Sequence, residues 1–237
     1  MPLLSQNQFW ESIAVNDNNI ETFYVLDLDR TIFDTIKSTE LMEGVIALHD
    51  AELSAALTQK FEEYSQLGES FSMRDFIVEQ VGEDEASKIE TAFEENAQTK
   101  DLLLPGAREL MAYIRSLPNA ALGILTYGSV LGQTMKITAG GLSDVPFLVT
   151  AETFKGAQIA TWRGDDDLYH LPDELCGYTA KSIVFVDDKP FSFKGLPIDC
   201  RGYLVKSVYD AGIEKLPSYV ASVTSLSEVI AAEKQLK

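Results

Sequence analysis

The stretch Phe23-Tyr24-Val25-Leu26-Asp27-Leu28-Asp29-Arg30-Thr31 decides how the rest of the chain is read. Apolar and aromatic residues suited to a buried parallel strand stop at two carboxylates spaced two apart, with a hydroxyl two further on. Alternate residues of a strand share a face, so Asp27 and Asp29 point roughly the same way just past the carboxyl end of a sheet. Ligands of open parallel sheets bind at that edge. Burying two acids there is expensive unless a cation shares the site. An isolated Asp-x-Asp is more often a solvated turn, so the reading depends on what else the chain supplies.

A second apolar run, Ile183-Val184-Phe185-Val186, also closes on two acids, Asp187-Asp188. If the two strands are neighbours, their carboxylates converge at one edge, where like charges a few Å apart repel by roughly several kcal/mol at an effective dielectric near 20. A hard divalent cation removes that penalty, and a few carboxylate oxygens completed by water or substrate phosphate are what Mg²⁺ prefers. The strand candidate Ala120–Leu125 leads into Thr126-Tyr127-Gly128-Ser129. There a hydroxyl, a tight glycine turn and a helix start can hold a phosphate oxygen, although Thr-x-Gly turns are also common for purely structural reasons.

Between these segments the texture is divided. Residues 1–22 read as a leading helix around Gln6 to Val15 and a polar turn over Asn16–Asn19. Phe33 to Leu48 reads as a helix, and the following fifty or so residues show no convincing strand. Leu53, Leu57, Phe61 and Tyr64 recur at helical spacing, as do Met73, Phe76 and Ile77, then Ala86, Ile89 and Phe93. Ser72 and Gly82 suit a helix cap and a helix stop. Pro105-Gly106 opens a further helix. Beyond it strand candidates at 120–125, 147–150, 182–186, 202–205 and 219–223 alternate with helices, the pattern of a parallel sheet with crossovers. The expected architecture is an α/β Rossmann-like core over 1–33 and 101–237, split by an all-helical insert over 34–100.

With 237 residues the chain can bury a large core. Its formal charge of −18 and pI near 4.4 argue against general affinity for nucleic acid or anionic membrane surfaces. No basic segment followed by an apolar stretch opens the chain over Met1–Trp10, and no uninterrupted apolar run approaches the length of a membrane span. Cys176 and Cys200 lack a paired spacing and are expected as reduced, buried thiols, so the cytoplasm is the expected location.

In order and spacing, Asp27, Asp29 and Thr31, then Thr126, then Asp187 and Asp188 resemble the motifs of the haloacid dehalogenase superfamily of phosphohydrolases. The resemblance covers about 23–190. It implies a Rossmann-like sheet with a helical cap inserted between the first two motifs, where the helical insert falls. It further implies Asp27 as the nucleophile that forms an aspartyl-phosphate, Asp29 as general acid and then base, and Thr126 as a phosphate-binding hydroxyl. Mg²⁺ would be held by Asp27, the backbone carbonyl of Asp29, Asp187 and Asp188, the last directly or through water.

The remaining motif is a lysine, for which Lys136 and Lys155 compete. Lys155 follows a strand's carboxyl end and is the better placed; Lys136 sits farther along a helix. Asp27, Asp187, Asp188 and a phosphate dianion carry about five negative charges, of which Mg²⁺ offsets two and a lysine one more. Arg30 departs from the small or amide residue usual in the family at that position. It either contacts substrate or pairs with cap carboxylates, and Tyr127 either packs beneath the cap or lines the pocket. Asp165-Asp166-Asp167 reads as a solvated loop, and His49 and His170 have no neighbour for a triad or a metal pair.

The function expected from this reading is a Mg²⁺-dependent phosphatase acting on a small phosphorylated metabolite. A phosphomutase, or a phospho-ligand-binding protein that keeps the fold without turnover, are the alternatives. Dehalogenation fits less well, because that reaction has no use for a proton-transfer group at Asp29.

Overall fold

The computed structural model of the protein describes residues 19–67, 71–206 and 216–236. The expected leading helix and most of the polar turn after it lie outside these residues.

The sheet contains β1 (Asn19–Leu26), β2 (Ala120–Tyr127), β3 (Phe147–Thr150), β4 (Tyr169–His170), β5 (Thr179–Asp187), β6 (Arg201–Val205) and β7 (Val220–Val223). The strand order is β3-β2-β1-β5-β6-β7, with every neighbouring pair parallel. The two-residue β4 pairs antiparallel with the start of β5, an addition to the parallel pattern read from the sequence. It is too short to carry a periodic signal.

Both faces of the central strands are covered, which is why they read as unbroken apolar runs rather than alternating ones. Phe23, Val25, Ile183 and Phe185 enter one apolar cluster, while Tyr24, Leu26, Val184 and Val186 enter another on the opposite face. Cys200 is buried as expected, whereas Cys176 is exposed.

Four helices and no strand lie between β1 and Leu102 among the described residues: α1 (Thr35–Ala47), α2 (Ala51–Leu67), α3 (Met73–Val81) and α4 (Glu83–Ala97). Ser72 caps α3 by accepting from the Asp75 amide, and Gly82 ends it at φ +81°, a conformation that glycine adopts without a Cβ penalty. Three further helices complete the architecture up to β5: α5 (Ala107–Arg115), α6 (Val130–Ala139) and the short α7 (Lys155–Ala160). The last helix, α8 (Leu226–Gln235), follows β7.

The helical insert does not stand off from the rest. Met42, Ile46, Leu57, Ile77, Ile89 and Phe93 share one continuous apolar cluster with Met135 and Ile137 of α6 and with one face of the sheet. At this seam the Ser72 and Ser129 hydroxyls, the N-caps of α3 and α6, meet at 3.1 Å. Among the described residues no helix is long and apolar enough to cross a membrane.

Candidate active site

Parallel register brings the two acidic strand ends together. Leu26 of β1 pairs with Val186 of β5, and the Asp27 amide donates to the Val186 carbonyl at 2.9 Å, so Asp27 and Asp187 leave the sheet side by side. Asp27, Asp187 and Asp188 are all buried and each offers a carboxylate oxygen within 4.8 Å of the others.

Lys155, the first residue of α7, reaches into this cluster. Its ammonium donates to Asp27 Oδ1 and, at 2.9 Å, to Asp187 Oδ2. Burial works against its charge, but Asp187 and Asp27 more than offset that and raise its pKa. The side chain gets there because Gly156 follows it. A Cβ at Gly156 would lie 2.7 Å from the Leu196 amide nitrogen and 2.9 Å from the Lys194 carbonyl oxygen, so only glycine allows α7 to approach that backbone.

The acids are not equally served. Thr31 donates to Asp27 Oδ2 at 2.8 Å, and the Lys189 amide donates to Asp187 Oδ1 at 2.8 Å. Asp188 Oδ1 is buried without a hydrogen-bond partner among the described residues. Burial, with Asp27 and Asp187 adding their repulsion, pushes Asp188 up to about 8. Burial likewise pushes Asp27 up to about 6, against the pull of Lys155.

A buried carboxylate oxygen with no donor marks a place for a cation. For an oxygen-coordinated Mg²⁺, ligands facing each other across the ion stand about 4 Å apart. The three carboxylates, with oxygens within 4.8 Å of one another, therefore suit a hard divalent cation by their chemistry.

Thr126 closes the same edge from β2. The strand extends through Tyr127, so Thr126 belongs to the strand itself, and its Oγ1 is buried without a partner among the described residues. Gly128 follows at φ +148°, and a Cβ there would meet Gln133 Nε2 at 2.6 Å. That turn lets Gln133 fold back beneath it and donate to the Tyr127 carbonyl at 2.9 Å.

Asp29 lies beside this cluster but outside it. Its carboxylate accepts from Lys136 Nζ at 2.7 Å and Thr35 Oγ1 at 2.8 Å on Oδ1, and from Gln133 Nε2 at 3.1 Å on Oδ2. Burial alone would raise its pKa, but Lys136, Thr35 and Gln133 outweigh it and hold the group at about 2.

Both lysines that compete in the sequence enter the site: Lys155 bonds Asp27 and Asp187, and Lys136 bonds Asp29. Lys136 gets in because it is in the second turn of α6, on the side facing the loop after β1. Spacing along a helix gives distance, but not the direction in which the helix leaves the sheet.

Arg30 adopts φ +62°, the left-handed region where a residue without Cβ is favoured. That backbone conformation is met at least cost by glycine or a short amide side chain rather than by arginine. With Thr31, Thr35, Ile36, Leu104 and Lys206, Arg30 lines a cleft of about 300 Å³, whose Thr31 and Thr35 hydrogen-bond Asp27 and Asp29. Tyr127 is 36% exposed at the end of β2.

The acidic run over 165–167 is exposed. Asp166 pairs with His170 and Asp167 with Arg163, away from the central cluster. Thr35, Gln133 and Gly156 were not singled out in the sequence. Gln133 and Lys136 do stand at i, i+3 on one helix face, a usable signal, whereas nothing local marks Gly156.

No protein-family model and no curated protein matches the chain. Among solved structures it is similar to a haloacid dehalogenase-like hydrolase from Burkholderia xenovorans LB400, at TM-score 0.59 and 17% identity over 91% of this chain and 98% of that one. The chain has the haloacid dehalogenase-like fold.

The HAD-hydrolase YfnB from Bacillus subtilis, solved bound to magnesium, is similar at TM-score 0.52 and 12% identity over 90% of this chain and 98% of its own. CbbY from Rhodobacter sphaeroides, solved in complex with phosphate, is similar at TM-score 0.52 and 16% identity over 89% and 96%. At such identities the haloacid dehalogenase-like likeness is one of fold, so the chemistry must be argued from the side chains.

Proposed function

We propose that this protein is a Mg²⁺-dependent phosphatase acting on a small phosphorylated metabolite through an aspartyl-phosphate at Asp27. The observation that carries this reading is the meeting of Asp27, Asp187 and Asp188 with Lys155 at the carboxyl edge of the sheet, beside the buried, unpartnered hydroxyl of Thr126. Magnesium in YfnB and phosphate in CbbY, on the same fold, support it.

Asp27 attacks phosphorus, the bond from phosphorus to the leaving oxygen breaks, and that oxygen takes a proton from Asp29. Water then attacks the aspartyl-phosphate and gives its proton to Asp29, releasing inorganic phosphate and restoring Asp27. Thr126 and Lys155 hold the transferring oxygens. Asp27, Asp187, Asp188 and the backbone carbonyl of Asp29 hold Mg²⁺, which when bound neutralises charge on the phosphoryl group.

The helices over 34–100 act as a cap on a core of 1–33 and 101–237. The cleft at Arg30 holds the remainder of the substrate, whose leaving group the cap screens from water. Lys136 is not needed as the phosphate-site lysine in this reading.

Asp29 separates this proposal from dehalogenation, in which a halide leaves without a proton. The test is a phosphate-ester panel covering sugar phosphates, nucleotides and phosphoglycolate, run with Mg²⁺ and with chelator. Mg²⁺-dependent release of free phosphate, lost in Asp27→Asn, is the expected result. Normal turnover by Asp27→Asn overturns the mechanism. A rearranged ester without free phosphate points to a mutase, and saturable binding without turnover to a phospho-ligand-binding protein.

A further inference from the structure

Lys136 and Gln133 belong to no role assigned above, yet both are buried and both end on Asp29. They stand three residues apart on α6, so one rigid helix face delivers an ammonium to Oδ1 and an amide to Oδ2. Thr35, at the opposite side, donates to Oδ1 from the first turn of α1. The Asp29 side chain is thereby gripped on both oxygens by groups that make no hydrogen bond to Asp27, Asp187 or Asp188.

Gln133 is itself fixed. Its amide nitrogen also donates to the Tyr127 carbonyl, in the turn that only a residue without Cβ at 128 permits. The α6 helix is in turn anchored at Ser129, which touches Ser72 of the insert.

We propose that Lys136, with Gln133, is a positioning residue for Asp29: it holds the carboxylate oriented to receive the proton of the water that attacks the phosphorylated Asp27. This rests on the phosphatase reading and deepens it. A lysine that bound phosphate would have to face the space between Asp27, Thr126 and Lys155. Lys136 instead spends its ammonium on the other aspartate, 107 residues away in sequence.

Proton acceptance by a misaligned carboxylate is slow even when substrate is bound normally. Losing Lys136 should therefore slow the second step and spare phosphate binding.

The experiment compares wild type, Lys136→Met and Lys136→Arg in full-length protein with Mg²⁺ present. It measures kcat, the fraction of enzyme trapped as aspartyl-phosphate on acid quench, and the inhibition constant of inorganic phosphate. Expected for Lys136→Met are a kcat lowered about tenfold or more, a raised phosphoenzyme fraction and an unchanged phosphate inhibition constant. Lys136→Arg, which keeps a cation against the carboxylate, should recover most of the rate.

A phosphate inhibition constant raised about tenfold without phosphoenzyme accumulation makes Lys136 a phosphate ligand and overturns the proposal. An unchanged kcat in folded Lys136→Met also overturns it. A crystal structure of Lys136→Met gives a readout independent of turnover: Asp29 leaving its place supports the proposal, and Asp29 staying refutes it. Should wild type hydrolyse no phosphate ester, the phosphatase reading fails, while Asp29 in that crystal still decides whether Lys136 holds it.

Discussion

Lys155 donates to Asp187 Oδ2 at 2.9 Å while also bonding Asp27, so one ammonium is shared between two of the three clustered carboxylates. Asp188 has no such share. Its charge is the least compensated of the three, and from that imbalance a dependence on pH and on divalent cations is expected.

Asp188, pushed up to about 8, and Asp27, pushed up to about 6, bind protons more readily folded than unfolded. Where the folded state holds more protons, stability falls as pH rises. The favourable contribution is complete below the ordinary aspartate pKa near 4 and is lost progressively toward about pH 8. In chelator the melting temperature is thus expected to decline across this window. A divalent cation needs the same groups ionised, so the rise in melting temperature on adding Mg²⁺ should be larger at about pH 8 than at about pH 5. Asp188→Asn should flatten the slope in chelator. Melting curves at both pH values, with and without Mg²⁺, decide it; equal Mg²⁺ shifts would contradict the cluster as a cation site.

Gly156→Ala is expected to damage both stability and turnover. The added methyl meets Leu196 nitrogen and Lys194 oxygen, which are backbone atoms and cannot rotate away. Overpacking of this kind costs about 1–3 kcal/mol, and relief by shifting α7 carries Lys155 off Asp27. Denaturant titration and kcat should fall together. An alanine variant with unaltered midpoint and rate would show that the approach is looser than these distances.

Glu233 supplies a stability test away from the chemistry. It is 2% exposed and accepts from Tyr24 at 2.7 Å, Tyr203 at 2.8 Å, and Arg201 Nε and Nη2 at 3.0 Å each, tying α8 to β1 and β6. Burial raises its pKa, but Arg201 and the two tyrosines outweigh that and lower it. Its contribution is therefore present above the ordinary glutamate range and lost as pH falls below it. Glu233→Gln is expected to cost about 2–3 kcal/mol near neutral pH, below the roughly 3–5 kcal/mol for breaking a fully buried pair because Arg201 keeps some water contact. The gap to wild type should narrow in acid. Chemical denaturation at neutral and acidic pH measures both, and a pH-independent gap would refute the assignment.

Much of this arrangement was legible in the residues. The unbroken apolar runs at 23–26 and 183–186 marked strands covered on both faces, and their acidic ends lie side by side because parallel register aligns Leu26 with Val186. The four helices between β1 and Leu102 were readable from their 3.6-residue spacing, and Ser72 and Gly82 from their capping chemistry. The antiparallel β4 was not, since two residues carry no period. Exposure of Cys176 was also missed, because a thiol's average burial says nothing of its particular turn.

By itself the sequence determined which strands are central, where the acids stand along them, and where the helices are inserted, because periodicity and charge placement are local properties of the chain. Only the tertiary structure decided that Lys155 serves Asp27 and Asp187 while Lys136 serves Asp29. Those pairings depend on the directions in which α6 and α7 leave the sheet, and on one glycine's closeness to a distant backbone. Long flexible side chains can reach several acids, and the packing of whole helices selects which.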